Sequence, residues 1–80
     1  MAEFTQASID KLSKMIRQAR QERQLTQTRL ADRLGVSLQT LQSWEQARHP
    51  PGSVSARRAL KDHLGIDINQ MLEDGELAKE

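Results

Sequence analysis

The 80-residue chain has no cysteine and no tyrosine, and its aromatic content is Phe4 and Trp44 alone. Without cysteine there is no disulfide framework and no thiolate for metal or nucleophilic chemistry. The two histidines, His49 and His63, do not make up a tetrahedral zinc set. No Gly-rich phosphate loop, nucleophile elbow or carboxylate pair in a recognisable frame is present, so neither catalysis nor a cofactor is expected. Two aromatic side chains are also a poor supply for stacking on single-stranded bases. No run of 18 apolar residues and no charged-then-apolar leader occurs, which disfavours a membrane span and secretion and makes a cytoplasmic location the expectation.

What is present fits one small all-helical domain. A chain this short buries only about 60–65% of its unfolded surface, so its stability is marginal and a partner subunit would help. The net charge of +1 conceals an uneven distribution. Residues 11–63 carry eleven Lys/Arg against four Asp/Glu, residues 64–80 one lysine against five acids, and residues 1–10 two acids. A basic body with acidic ends is what phosphate binding with the ends held off the nucleic acid would look like, although ordinary surface charge gives the same totals.

Apolar spacing divides the chain into five helices. The first is expected over residues 8–24, capped by Ser8, with Ile9, Leu12, Ile16 and Ala19 on one stripe. Thr26 caps a second helix that runs to about Leu34, where Gly35 ends it. Ser37 caps a third that runs to about Gln46. Leu25 with Leu30, and Val36 with Leu41, staple the two helix starts. Pro50, Pro51 and Gly52 break the chain before a fourth helix that starts at Ser53 or Ser55 and ends at Leu64. The segment LGIDINQM then repeats the pattern of LGVSLQTL, with an Asp67/Gln70 capping box, an Ile66/Met71 staple and a short last helix over about Ile68–Asp74.

The third helix sorts into two faces. Leu41, Trp44 and Arg48 share one side, while Leu38, Gln39, Gln42, Ser43 and Gln46 share the other. The outward set carries no charge and three glutamines, unlike a usual solvated face of Lys and Glu. A glutamine amide donates and accepts at once, which matches the N6/N7 edge of adenine in the major groove, and an apolar Leu38 suits a thymine methyl or a second place in the staple. Thr40 lies at the border of the faces, where its hydroxyl reaches either a phosphate or the backbone.

The residues IRQARQERQLTQ, LADRLGVS, LQSWEQAR and ALKDHLGID, spanning Ile16 to Leu64 and just beyond, resemble the DNA-binding domain of the Xre and Cro/phage-repressor family. The cap, the alanine at the helix crossing, the glycine turn and the core positions of TQxxLAxxLGVSxxTLxxWE are fixed relative to one another, which makes the pattern specific. The resemblance implies a compact five-helix, lambda-repressor-like fold, usually dimeric, that binds double-stranded DNA and regulates transcription. It places the Leu38–Gln46 helix in the major groove, with Leu38, Gln39, Gln42 and Ser43 reading bases. Thr26, Gln27, Thr40, Arg48 and Ser53 would set register on phosphates. Arg20 and Glu45 match a family pair that bridges the first helix to the end of the third, rather than standing as two exposed charges. Ala47 departs from the family, which usually has glycine after the WE pair. Alanine there is either strained at positive φ or lets the helix run on by a turn. The WEQ-plus-proline region also resembles antitoxins, so a partner toxin is the alternative to a homodimeric repressor. Ile66, Ile68, Met71 and Leu72 are more apolar than a short terminal helix is expected to bury, which points to a two-fold dimer contact there.

Overall fold

The computed structural model describes residues 4–73, and all regular structure among them is helical. Five helices follow in order: α1 (Gln6–Glu22), α2 (Gln27–Leu34), α3 (Leu38–Glu45), α4 (Val54–Leu64) and α5 (Ile68–Glu73). The expected end of the last helix at Asp74 lies outside the described residues.

α1 begins earlier than expected. Thr5, not Ser8, is its N-cap: the Thr5 hydroxyl accepts from the Ser8 backbone N–H at 3.1 Å, and the Thr5 backbone N–H donates to Ser8 Oγ at 2.8 Å. Either hydroxyl can cap a helix, but only this register satisfies two orphan donors reciprocally, and it carries the buried Ser8 into the first turn. The same helix also stops sooner, at Glu22, because Gln24 takes a left-handed φ of 55° and Leu25 N–H turns back to Arg20 O at 3.1 Å.

Four helix exits share that solution. A single residue at positive φ follows each of the first four helices: Gln24, Gly35 (74°), Ala47 (59°) and Gly65 (71°). The amide after each reaches back five or six residues, as Val36 N–H does to Ala31 O at 3.0 Å and Ile66 N–H to Leu60 O at 3.2 Å. These bonds close carbonyls that the helix ends leave open, so each corner is both satisfied and sharp. Thr26, Ser37 and Ser53 then cap the next three helices, each hydroxyl accepting the backbone N–H three residues on. The start of α4 thus falls at Ser53 of the two expected candidates.

Short helices with one apolar stripe must find a common core, and here they share one. Leu12 and Ile16 from α1, Leu30 from α2, Leu41 from α3, Leu60 from α4 and Ile68 from α5 are buried almost completely, with Pro51 beside them. α1 and α2 both pack on α3 and on α4, and α5 closes against α4. The C-terminal apolar residues belong to this core: Ile66, Ile68 and Met71 are buried within the single chain, and Leu72 packs half-buried against it. Three of the four residues expected at a dimer contact are therefore spent inside the protomer. The physical reason is that the α4–α5 corner folds Ile66 and Ile68 under the body, which buries more than a frayed terminal helix would.

Candidate nucleic-acid interface

α2 and α3 form a fixed corner. Gly35 turns the chain without a Cβ penalty, and Ser37 restarts a helix two residues later. Leu25 and Val36, the residues before the two caps, pack against the core as expected of staples. The Ser37 hydroxyl accepts from Thr40 N–H at 3.0 Å and donates to Thr40 Oγ1 at 2.8 Å, so Thr40 is half-buried and bonded locally.

α3 shows the two faces read from the sequence. Leu41, Trp44 and Glu45 are buried, Leu38 is 39% exposed, Gln39 and Gln46 are exposed, and Gln42 and Ser43 are half-buried. Arg48 is the exception. It was expected to continue the buried side, but α3 ends at Glu45 and Ala47 takes the positive φ of the strained alternative, which rules out an extra helical turn. Arg48 N–H instead bonds Ser43 O at 2.9 Å and the residue stands exposed past the corner. The Ala47 carbonyl accepts from Gln6 Nε2 at 3.3 Å, tying this corner to the start of α1.

The attitude of α3 is set by a buried ion pair. Arg20 Nε donates to Glu45 Oε2 at 2.8 Å and Arg20 Nη2 to Glu45 Oε1 at 3.1 Å, a two-pronged fit of guanidinium to carboxylate. The third prong, Nη1, donates to Leu25 O at 3.0 Å. One side chain therefore holds α1, the α1–α2 corner and the end of α3 together. Glu45 is only 3% exposed, so its carboxylate oxygens are satisfied by these donors in place of water. Gln27 supplies one more, Nε2 to Glu45 Oε1 at 3.1 Å, while Gln27 Oε1 accepts from Gln42 Nε2 at 3.4 Å.

That last pair of bonds was not legible in the sequence. Gln27, expected on a phosphate, directs its side-chain amide inward to Glu45 and Gln42 and is half-buried. The other expected phosphate residues stand at the surface or near it: Thr26 exposed at the cap of α2, Thr40 half-buried, and Arg48 and Ser53 exposed on either side of the proline turn. Leu38, Gln39, Gln42 and Ser43 fall together on the outer side of α3. Among the described residues no group of three His, Cys, Asp or Glu is placed to hold a metal, and no helix is long and apolar enough to cross a membrane.

Two helices locked at a glycine corner, with an uncharged polar face on the second, define a helix-turn-helix DNA-binding domain. A helix-turn-helix family model matches residues 16–68, from the middle of α1 to the first residue of α5. The chain belongs to that family, of the Cro/phage-repressor (Xre) type, whose members bind DNA and regulate transcription. No curated protein and no solved structure matches it.

Proposed function

We propose that this protein is a sequence-specific repressor that acts as a homodimer on a near-palindromic operator in double-stranded DNA. α3 lies in the major groove, where Gln39, Gln42, Ser43 and Leu38 meet base edges. Thr26, Thr40, Arg48 and Ser53 fix register on the phosphates, joined by the backbone N–H of Gln27 at the positive end of α2. The observation that carries this reading is the uncharged, glutamine-rich outer face of α3, held by the Arg20–Glu45 fork. Selection of bound sequences from a random DNA pool, followed by titration of Gln39→Ala, tests it. A defined site should emerge, and the variant should lose about 1–3 kcal/mol on that site with the fold intact. Equal binding of all sequences by the parent protein would defeat the reading.

A second reading has one observation in its favour. Between α4 and α5 runs an open cleft of about 510 Å³ of mixed charge, lined by Arg57, Arg58, Lys61, Asp62 and Asp67 together with Val54, which is 84% exposed. Such a surface suits a partner protein, as in an antitoxin that also controls its own operon. A small toxin reading frame beside the gene, and a complex that Val54→Asp disrupts on size-exclusion chromatography, would favour it.

A further inference from the structure

We infer that Gln27 is a specificity-determining residue that acts through Gln42: the buried carboxylate of Glu45 fixes the Gln27 amide, which in turn biases the Gln42 amide to offer its carbonyl oxygen to an amino group in the major groove. The inference rests on the DNA-binding reading above and deepens it.

The argument begins at the carboxylate. Ionised Glu45 has acceptors only, so whichever end of the Gln27 amide faces Oε1 at 3.1 Å must be the nitrogen. Arg20 occupies other directions around the same carboxylate, donating to both of its oxygens and to Leu25 O. With its nitrogen committed, Gln27 turns its oxygen the other way, toward Gln42 at 3.4 Å. An oxygen accepts only, so the facing atom of Gln42 must in turn be its nitrogen. An amide whose nitrogen points back along the relay points its oxygen away from it. The order of donor and acceptor on the outer face is thus biased by a carboxylate two residues removed from the groove.

That order has a consequence for base choice. An outward oxygen accepts from the N6 amino group of adenine, and the second N–H of the same amide remains for N7. Guanine presents the acceptor O6 where adenine presents its amino group, so an amide held in this orientation disfavours it. Free to flip by 180°, the amide would serve either purine. Two features of the site set the scale of the effect. The Gln27–Glu45 bond is charge-assisted and partly buried, hence firm. The Gln27–Gln42 contact is long for N–H···O, so the relay biases the second amide and does not clamp it.

The test compares the parent protein, Gln27→Met and Gln42→Ala by binding-site selection from a random duplex pool, with relative affinities measured at each position of the selected site. Methionine keeps the length and helix preference of Gln27 while removing both hydrogen bonds, and Arg20 remains on Glu45. Gln42→Ala identifies the position that Gln42 reads. At that position the parent should prefer adenine over guanine, and Gln27→Met should reduce the preference roughly three- to tenfold, leaving the other positions unchanged. Melting followed by circular dichroism verifies that the variant is folded. A uniform loss over all sequences, random DNA included, would make Gln27 a phosphate contact and overturn the relay, as would an unchanged preference. If the parent selects a site but Gln42→Ala alters no position, Gln42 reads no base and the relay falls while the DNA-binding reading stands. If the parent selects no site at all, both fall.

Discussion

Ala47 carries a backbone conformation that favours glycine. At φ 59° its Cβ crowds the neighbouring carbonyl, and the corner is held by Arg48 N–H on Ser43 O at 2.9 Å and Gln6 Nε2 on the Ala47 carbonyl at 3.3 Å. Ala47→Gly should therefore stabilise the protein by about 0.5–1 kcal/mol, the relief of strain exceeding the extra chain entropy of glycine. Differential scanning calorimetry should record a melting temperature a few degrees higher. A lower one would mean that the alanine methyl packs in a way that offsets its strain. Residue-scale features of this kind were only partly legible in the sequence. The departure of Ala47 from the family glycine stated the choice between strain and a longer helix, and the backbone decided it. Thr26, Ser37 and Gly35 were readable because a cap and its partner lie within a few residues of one another. Gln27 was not, since Glu45 and Gln42 are brought to it by the crossing of α2 and α3, and no local pattern encodes that distance.

The corners govern the elements. Each of the first four helices ends on one left-handed residue, and at the short α2–α3 corner that residue, Gly35, sets the direction of the next helix. Gly35 has open space where a Cβ would be built, which means that Gly35→Ala suffers backbone strain and nothing else. The expected net loss, after the smaller chain entropy of alanine, is about 0.5–1 kcal/mol, seen as a lower midpoint in urea with an unchanged slope. A changed slope would indicate that the corner had re-formed differently. The positions of these glycines made the order of elements legible, and the ambiguity fell where no glycine marks an end. α1 exits on Gln24, and its start offered two hydroxyl residues between which only the reciprocal Thr5–Ser8 bonds choose.

Across the whole molecule, five short helices depend on one core, and Trp44 is its largest side chain, 6% exposed on the inner side of α3. Trp44→Ala should cost about 3–5 kcal/mol through the cavity it leaves, most of the stability of a domain this size. Circular dichroism at increasing temperature measures it; a well-folded variant that merely fails to bind DNA would contradict the two faces assigned to α3. Assembly follows a different logic from the one composition suggested. Apolar residues counted along the sequence cannot reveal how far a corner will tuck them beneath the body, and Ile66, Ile68 and Met71 proved to be interior. The proposed dimer must then rest on surface other than these three side chains. On the operator, two α3 helices about 34 Å apart would read half-sites one turn apart. Analytical sedimentation with and without a palindromic duplex should show two protomers per duplex, and one protomer on a single asymmetric site would refute the dimer.

The separation of buried and outward positions on α3 bears on how the protein can be retargeted. On the proposed reading, exposed Leu38 and Gln39 stand outside the closed core, so new side chains there should alter the recognised sequence with little effect on the scaffold. Gln42 does not share that freedom. Its amide contacts Gln27 and through it Glu45, so on the proposed reading a change of base preference at this position calls for a matching change on α2.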